Sequence, residues 1–577
     1  MDTLPADLID LARRWAGRAT FVVLDTDFGD GARLLATLVR WSADPHRPAR
    51  LHYVALAAAP VLAPPLAAWR AVWPPAVPGL HRIALDGEAV LLDLLVGAPP
   101  ASLAQLVAGA GFDAMFLAPA PAAPWSANVL ARLAAPAAVL YPAAGALDSS
   151  QRATLGRAGF RFDGAIGVRR PAAAMAMADV DDGARRAVVI GAGLAGATAC
   201  ERLVARGWSV TLVEQAAGPA QQASGNLAGI VMPLLARDDN PSARLSRAAY
   251  LYALRYFARL GGLGERITGA PCGVLQLVAD AGQAGLQRRS AARAAYPPDY
   301  ASWLEPAAAS LKLGRPAHGG WWFPHGGWVH PAALCQVLLE TCGAALTRRF
   351  NHGALALRRA GRQWQVLGAD GVVLASAGTV ILANGTGATT LAQAGGLPLA
   401  AVRGQVTHLA PGVLPQPPLV LCGEAYMTPA AGGLVCVGAS YDADADPGLR
   451  ASSQHDNLAR IAAMLGVPAP DVALAGRTGF RCVAPDRLPL VGPLPDPAAA
   501  HSTLRAHGRA EHLADVARWP GLHGLLGYAS RGLTWAPLAA ELLVSQLDGA
   551  ALPLEASLVA ALDPARFLLK QLRRNHV

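Results

Sequence analysis

Lysine, paired cysteines and long apolar segments are all scarce in this chain of 577 residues. Lys312 and Lys570 are the only lysines among 49 basic residues. The seven cysteines form no CxxC pair, which argues against a disulfide framework and a zinc site, so we predict no metal. Prolines interrupt the apolar stretches, and the first residues lack the basic and apolar regions of a signal peptide. We therefore expect no membrane span, reduced thiols and a cytoplasmic location.

The bulk composition bounds the size of the core and the surface charge. A chain that is 53% hydrophobic and 15% charged can bury large cores, and its length suggests two or three domains. The net charge of +9 has two interpretations. A basic surface attracts nucleic acid or acidic ligands, but the preference for arginine over lysine also fits a coding bias.

The first 170 residues alternate short apolar runs with helical stretches, which is typical of an α/β domain. Strands are predicted at Phe21–Asp25, Leu51–Leu56 and Phe112–Leu117, and a helix is predicted from about Ala32. The pattern lapses over residues 171–186, where we predict a linker between domains.

A dinucleotide-binding βαβ unit follows the linker. A strand at Ala187–Ile190 leads into a glycine turn and a helix through Leu203, and a second strand at Ser209–Val213 ends in Glu214. The spacing of the glycines is GxGxxG: Gly191, Gly193 and Gly196. The glycine pattern alone is weak, but strand, turn, helix, strand and acid here stand in the required order.

Each part of this unit has a physical role. Gly191 makes the tight turn, Gly193 lets the backbone approach a pyrophosphate, and Gly196 lets helix and strand pack closely. The helix N-terminus presents unpaired N–H groups to phosphate. Glu214 can accept hydrogen bonds from ribose hydroxyls, which favours FAD or NAD over NADP.

Several motifs stand in order downstream of Glu214. They are Ala223–Gly229, Trp322–Pro331, Ile381–Gly385, Arg403–Gln405, Arg481–Gly492 and Ser530–Leu533. Together they resemble the oxidoreductase part of the bifunctional tRNA-modifying MnmC family. That part is similar to the D-amino-acid oxidase-like flavoproteins, which include glycine oxidase. The resemblance runs from about Arg186 to the C-terminus.

The resemblance implies an α/β fold with two domains. The first is a Rossmann-like domain of the methyltransferase type, and the second is an FAD domain with an inserted antiparallel-sheet substrate domain. The implied bounds are 1–170 for the first domain, 171–186 for the linker and 187–577 for the oxidoreductase. Within the oxidoreductase, the FAD subdomain covers about 187–262, 328–400 and 476–577, and the substrate subdomain covers about 263–327 and 401–475.

The resemblance also implies a reaction. The family acts on 5-carboxymethylaminomethyl-(2-thio)uridine at the wobble position of tRNA. FAD-dependent oxidation removes the carboxymethyl part as glyoxylate and leaves 5-aminomethyl-(2-thio)uridine, with dioxygen as the electron acceptor. Two alternatives stay open: a small-molecule glycine, sarcosine or D-amino-acid oxidase on the same fold, and a flavin- or RNA-binding protein without catalysis.

The implied substrate pocket must hold a carboxylate, for which an arginine fork is well suited. The resemblance gives this role to Arg481 and Arg531, and it gives Tyr426 a further hydrogen bond to the substrate. The alternatives are structural ion pairs for the arginines and a core partner for the tyrosine. The residues implied to line the cofactor are Ser224, Gly225, Asn226, Gly385, Ser530, Gly532 and Leu533. Ser530–Leu533 is expected to open the last helix, Ala536–Leu547, against the flavin.

Three tryptophans and three histidines lie in or near these motifs without a settled role. Trp321, Trp322 and Trp328 either stack RNA bases or pack in the core, and packing is the favoured interpretation. His325, His330 and His408 are interpreted as structural or flavin-contacting.

The N-terminal domain departs from the methyltransferase pattern that the resemblance implies. Asp27–Leu35 resembles the family's glycine-rich loop for S-adenosylmethionine, but Ala57–Pro60 follows the second strand where an acid should bind ribose. Phe116–Pro121 lacks the aspartate of the catalytic loop. We expect that S-adenosylmethionine binding and methylation are lost. The alternative is weak activity with substitute carboxylates, namely Asp25, Asp27 or Asp30.

Overall fold

The computed structural model describes residues 6–97, 99–118, 126–143, 146–170, 185–507 and 511–574. Contacts divide the chain into two units. The N-terminal unit contains Met1–Asp182 and Ser545–Val559, and the C-terminal unit contains Gly183–Val544 and Ala560–Val577. The segment Ser545–Val559 lies within the predicted oxidoreductase bounds of 187–577, but its contacts group it with the N-terminal unit. Contacts between residues so far apart leave no local pattern in the sequence.

The N-terminal unit is a Rossmann-like α/β layer structure. Its described strands form one sheet in the order β3-β4-β2-β1-β5-β6-β8-β7, in which β4, β2, β1, β5 and β6 are parallel. The predicted strands and the predicted helix at Ala32 are confirmed. The strands are β1 (Thr20–Asp25), β2 (Arg50–Ala57), β3 (Gly79–Leu85), β4 (Val90–Val96), β5 (Phe112–Leu117), β6 (Ala134–Pro142), β7 (Phe160–Asp163) and β8 (Ile166–Arg169). The helices are α1 (Ala6–Trp15), α2 (Ala32–Ala43), α3 (Pro99–Gln105), α4 (Ala127–Leu133) and α5 (Ser149–Arg157).

The two faces of this sheet carry separate hydrophobic clusters. Phe21 and Val23 of β1 belong to one cluster, and Val22 and Leu24 belong to the other. Side chains alternate between the faces of a strand, so a strand covered on both sides is apolar throughout. This burial explains the continuous apolar run that marked β1 in the sequence.

A buried arginine holds the segment Ser545–Val559 in the N-terminal unit. Arg82 on β3 donates to both carboxylate oxygens of Asp93 on β4, at 2.8 and 2.6 Å. It also donates to the hydroxyl of Ser545 at 2.8 Å and to the carbonyl of Ala551 at 2.7 Å. His52 contacts the same aspartate at 2.8 Å. The side chains of Arg82, Asp93 and His52 are almost fully buried, so the segment closes over a network of charged hydrogen bonds.

The remaining elements lie in the C-terminal unit, except that the end of α13 and the first part of α14 fall in Ser545–Val559 of the N-terminal unit. Its strands are β9 (Arg186–Ile190), β10 (Ser209–Val213), β11 (Gly229–Val231), β12 (Gly269–Ala270), β13 (Val274–Leu277), β14 (Ser302–Leu304), β15 (Gly320–Phe323), β16 (Gly327–Val329), β17 (Leu346–Arg349), β18 (Ala356–Ala360), β19 (Gln363–Leu367), β20 (Val373–Ala377), β21 (Thr379–Leu382), β22 (Ala400–Leu409), β23 (Val420–Cys422), β24 (Tyr426–Met427), β25 (Val435–Gly438), β26 (Ala475–Val483), β27 (Leu490–Pro495) and β28 (Arg518–Leu526). The helices after residue 183 are α6 (Leu194–Ala205), α7 (Pro241–Arg259), α8 (Ala281–Ala294), α9 (Pro306–Leu313), α10 (Pro331–Thr341), α11 (Ala451–Leu465), α12 (Pro497–His507), α13 (Gly532–Leu547), α14 (Ala556–Leu562) and α15 (Arg566–Arg574).

The predicted dinucleotide unit builds the middle of one sheet. This sheet has the order β17-β10-β9-β21-β28-β27, and all neighbours except β27 and β28 are parallel. The chain runs from β9 to β10 on one side of β9, and later crosses from β17 to β21 on the other side. A crevice for a ligand opens at the carboxyl ends of the strands at such a switch point. The glycine turn lies at this edge.

A second sheet of the C-terminal unit has the order β14-β15-β13-β23-β24-β25-β22-β26 and is antiparallel except between β13 and β23. β26 pairs with β22 from Ala400 opposite Val483 to His408 opposite Ala475. The predicted subdomain boundary after residue 475 therefore falls at the start of a strand of this sheet. The α/β fold with an inserted, mostly antiparallel sheet is confirmed. None of the described helices is both long enough and apolar enough to span a membrane.

Candidate active site

The glycine turn after β9 leaves no room for a side chain at Gly191 or at Gly196. Gly191 has φ +103°, and a Cβ there would lie 2.8 Å from the carbonyl oxygen of Ala383. A Cβ on Gly196 would lie 1.8 Å from the carbonyl oxygen of Gly191. The turn and the first turn of α6 are thus in contact through backbone alone, as the sequence predicted for close packing of helix and strand.

The N-terminus of α6 opens at this turn. Gly193 is the N-cap residue and offers no side chain of its own. The hydroxyl of Ser224 accepts a hydrogen bond from the N–H of Leu194 at 3.1 Å. The positive end of a twelve-residue helix and its N–H groups face this place, which suits a phosphate.

Glu214 closes the turn from the end of β10. Its carboxylate accepts from the N–H of Ala192 at 2.7 Å and from the N–H of Ala216 at 2.9 Å. Each carboxylate oxygen has two lone pairs, so one on each remains for ribose hydroxyls. A turn without side chains, a helix N-terminus and a fixed carboxylate fit the pyrophosphate and adenosine ribose of FAD.

Ser224, Gly225 and Asn226 form or follow a short 3-10 turn beside Gly193. The guanidinium of Arg477 donates to Asn226 Oδ1 at 3.4 Å, and a Cβ on Gly225 would lie 2.5 Å from the same guanidinium. Arg477 was not among the predicted site residues. It lies four residues before Arg481 on β26, so the two arginines share a face of the strand.

The remaining predicted cofactor residues lie at the ends of three elements. Gly385 begins a 3-10 turn after β21. Gly532 begins α13, four residues earlier than predicted. A Cβ added to Gly532 would lie 3.2 Å from the side chain of Leu194 at the start of α6. The side chain of Leu533 packs against the backbone of Gly229, where an added Cβ would lie 2.6 Å from its Cδ1 atom. Helix α13 is followed by α14 and α15, so the expectation that it is the last helix was wrong.

Arg481 lies flat across the neighbouring strand of the substrate sheet. A Cβ on Gly404 of β22 would lie 2.0 Å from its Nη1 atom. Nη1 donates to the carbonyl oxygens of Ser440 at 3.1 Å and Arg403 at 3.3 Å. The ring of Tyr441 lies 4.1 Å from the guanidinium carbon. Within the described ranges, no aspartate or glutamate forms an ion pair with Arg481.

Arg531 is a second cation near Tyr441, the residue whose ring lies against Arg481. It precedes α13, and its interactions with Cys422 and Tyr441 show that it lies near both. Burial lowers the pKa of its guanidinium, but an arginine stays protonated in proteins. No acidic side chain in the described parts of the chain pairs with it. Two partly buried guanidinium groups near Tyr441 thus leave a place for an anion, because a buried charge without a counter-charge is costly.

Tyr426 lies on β24 opposite Cys422 of β23. Its hydroxyl is 3.7 Å from the sulfur of Cys436, and burial raises the pKa of that hydroxyl well above its usual value. It also interacts electrostatically with Arg481 and Tyr441. The structure therefore brings Arg481, Arg531 and Tyr426 to one place, with Tyr426 as a neutral hydroxyl.

Known proteins resemble both the whole chain and its C-terminal part. Residues 186–546 match the family described as FAD dependent oxidoreductase. A relative from Azoarcus sp. strain BH72, named tRNA 5-methylaminomethyl-2-thiouridine biosynthesis bifunctional protein MnmC, is 43% identical and is matched over 98% of this chain and 92% of its own length. A relative of the same name from Cupriavidus necator is 42% identical over 98% of this chain and 93% of its own. The chain belongs to the MnmC family. Its C-terminal part is an FAD-dependent oxidoreductase.

Solved structures similar to this MnmC-family chain agree with the fold. Glycine oxidase from Geobacillus kaustophilus has a TM-score of 0.54 at 20% identity and covers 66% of this chain and 99% of its own. Iminodiacetate oxidase from Chelativorans sp. BNC1 has a TM-score of 0.51 at 24% identity and covers 63% of this chain and 96% of its own. At these identities the likeness concerns the fold alone.

The aromatic and histidine residues of this MnmC-family chain are mostly structural. Trp321 and Trp328 are 5% and 7% exposed, which supports the packing interpretation. Trp322 stacks against the ammonium group of Lys312 at 3.8 Å. His330 caps α10 by accepting from the N–H of Ala333 at 3.0 Å. Tyr441 was not predicted from the sequence, but its ring lies against the guanidinium of Arg481.

Proposed function

We propose that this protein removes the carboxymethyl group from 5-carboxymethylaminomethyl-(2-thio)uridine at the wobble position of tRNA. The substrate group is an N-alkylated glycine. Oxidation of its glycyl Cα–N bond and hydrolysis release glyoxylate and leave the 5-aminomethyl nucleoside. Bound FAD supplies the two-electron oxidation. In this proposal dioxygen accepts the electrons and is reduced to hydrogen peroxide, and water supplies the aldehyde oxygen of glyoxylate.

The observation that carries the proposal is the pair of arginines without acidic partners. Arg481 is held by two backbone carbonyls through one nitrogen, which leaves its other N–H groups for a carboxylate. Arg531 supplies a second cation near Tyr441, whose ring lies against Arg481. A glycyl carboxylate bound there would fix the adjacent Cα. Tyr426 stays neutral because burial raises the pKa of its hydroxyl, so it can donate a hydrogen bond to the substrate.

A direct assay distinguishes this reaction from small-molecule oxidation. The purified yellow protein is mixed without oxygen with tRNA that carries the carboxymethylaminomethyl group, and separately with glycine or sarcosine. We expect the tRNA to bleach the flavin, with glyoxylate released and an aminomethyl nucleoside seen by mass spectrometry. Bleaching by the free amino acids alone would instead identify an amino-acid oxidase. Bleaching by neither would indicate a binding protein.

We propose further that the N-terminal unit does not methylate. A Cβ on Gly31, in the loop that resembles the S-adenosylmethionine loop, would lie 2.3 Å from Pro65. Phe28 of the loop donates from its N–H to the carbonyl of Leu56 at 2.7 Å. The chain itself therefore covers the loop at the ends of β1 and β2. The acid expected after β2 is absent from the sequence, since Ala57 and the next three residues carry no carboxylate.

Two of the three substitute carboxylates, Asp25 and Asp30, are also engaged, and the exposed Asp27 accepts from the N–H of Gly29 at 3.3 Å. Asp25 is 1% exposed, and it accepts from Arg33 at 2.6 Å and from the hydroxyl of Tyr53 at 2.7 Å. Asp30 accepts from the first N–H of α2, on Ala32, at 2.9 Å. The predicted catalytic loop lies partly in residues 119–125, outside the described residues. Calorimetric titration of the full chain with S-adenosylmethionine should give no saturable binding. A dissociation constant in the micromolar range would refute this part of the proposal.

A further inference from the structure

Tyr441 is the one aromatic side chain that stays mostly exposed among the side chains that the structure describes, at 64% of its surface. It follows β25, and its ring lies against the guanidinium of Arg481. Large aromatic rings are usually buried, and single-stranded RNA readers expose them to stack bases. Trp321 and Trp328 do not offer such a ring because they are buried, and Trp322 is half-buried with the ammonium group of Lys312 over its ring.

The backbone on both sides of Tyr441 is fastened to β22. Ser440 donates from its N–H to the carbonyl of Gln405 at 3.1 Å. Asp442 and Arg403 exchange two backbone hydrogen bonds at 3.1 and 2.9 Å, and the side chain of Arg403 donates to the carboxylate of Asp442 at 2.9 Å. Arg403 is fully buried and the side chain of Asp442 is 30% exposed, so only one partner of this ion pair meets solvent. An exposed ring on a fixed backbone loses little conformational freedom when it binds a ligand.

The ring of Tyr441 is also held in orientation. Its hydroxyl is hydrogen-bonded to the hydroxyl of Ser530 before α13. One face of the ring lies against the guanidinium of Arg481, 4.1 Å from its central carbon. A ring has two faces, and the large exposed fraction of this one leaves the second face open to solvent.

We propose that the open face of Tyr441 stacks the uracil ring of the substrate nucleotide, while the carboxylate of its side chain reaches Arg481. The inference rests on the proposed function, because it assigns the residue that recognises the base. A base in contact with the ring would lie roughly 3.5–4 Å beyond it, and so about 8 Å from the guanidinium carbon. Four single bonds of about 1.5 Å join the C5 atom of uracil to the carboxylate carbon, an extended reach of about 5 Å. Because the ring of Tyr441 lies between the two, the side chain must pass around the edge of the ring, and the remaining distance is covered by the C–O bond, a charged hydrogen bond and the N–C bond of the guanidinium.

Tyr441 acts in this proposal as a positioning residue and takes no part in the chemistry. Free glycine or sarcosine has no base, so neither uses the stack. A base that stacks on an aromatic side chain typically contributes a 5- to 150-fold gain in affinity, roughly, when measured by removal of the ring. The contribution therefore belongs to binding and appears in the KM for tRNA.

The test measures the affinity of flavin-loaded full-length variants for a fluorescent anticodon stem-loop with 5-carboxymethylaminomethyluridine. Tyr441→Leu should weaken binding by about 5-fold or more, whereas Tyr441→Phe and Tyr441→Trp should stay within about threefold of the wild type. Leu449→Ala is the matched control, because Leu449 is a 52% exposed apolar residue of the same loop. It should bind as the wild type does. The KM for the modified tRNA should follow the affinity, with kcat changed much less.

The outcomes separate this inference from the proposed function. If the wild type neither binds nor oxidises the modified stem-loop, the proposed function fails. If the wild type does both and Tyr441→Leu binds equally well, the stacking assignment alone is overturned. An equal loss in Tyr441→Leu and Tyr441→Phe would also overturn it, since the contact between the hydroxyl and Ser530 would then account for the effect.

Discussion

Replacement of Gly404 by alanine tests the position of the Arg481 guanidinium without removing its charge. Gly404 lies within β22, where its φ is not positive, so alanine fits the backbone. Its Cβ would stand 2.0 Å from Arg481 Nη1, and an ordinary contact begins at 3.4 Å. The guanidinium must therefore move by more than 1 Å, enough to break its hydrogen bond to Ser440 at 3.1 Å.

We expect kcat/KM for the modified tRNA to fall by about 10²-fold in Gly404→Ala, the usual cost of a misplacement of this size. Flavin content, read from the visible spectrum, should stay at one per chain because the dinucleotide turn is unchanged. Gly378→Ala is the control, since its Cβ would have only a carbonyl oxygen at 3.9 Å as a neighbour. If Gly404→Ala keeps full activity while Arg481→Ala loses it, catalysis does not depend on the position of the Arg481 guanidinium against Gly404, and the reasoning is refuted.

Three further predictions concern the cofactor, the second arginine and stability. Gly196→Ala should give colourless protein, because its Cβ would lie 1.8 Å from the carbonyl oxygen of Gly191; a yellow variant would contradict the packing of the turn. Arg531→Ala should lower flavin reduction by tRNA by about 10-fold or more at unchanged flavin content, and loss of flavin would show that its role is misassigned. Burial raises the pKa of Glu201 while Arg202 and other neighbours lower it, to about 2 overall. Because the pKa of Glu201 in the folded protein lies below the ordinary 4.5, its ionised carboxylate should add about 3 kcal/mol to the free energy of unfolding above pH 4.5. This contribution should disappear as the pH falls to about 2. Urea titrations across this range would measure the loss, and Glu201→Gln should flatten it.

The dinucleotide unit could be predicted from the sequence because its signals are local. A strand, a glycine turn, a helix and a second strand follow one another within thirty residues or so, and each has its own period or breaker. The predicted second strand, Ser209–Val213, is the observed β10. Position along the chain was therefore enough to place Glu214 beside the turn.

The substrate side of the site depends on long-range pairing, which the sequence does not display. Arg481 meets Gly404 only because β26 and β22 run antiparallel along their whole length. The motif residues on both strands were recognised, but their contact was not. Tyr441 was not predicted, because two properties of the folded chain distinguish it: its ring is exposed to solvent, and one face of that ring lies against Arg481.

The N-terminal unit cannot be completed during synthesis until its segment Ser545–Val559 has been made. Arg82 is translated early, but two of the groups it binds, Ser545 and the carbonyl of Ala551, are made only after residues 183–544 of the C-terminal unit. At roughly 5–20 residues per second, the roughly 360 residues between the two parts of the N-terminal unit take about 20–70 s to translate. The first-made part of the N-terminal unit, residues 1–182, thus waits on the ribosome for its final segment, and a nascent chain arrested before Ser545 carries an Arg82 that still lacks these two acceptors.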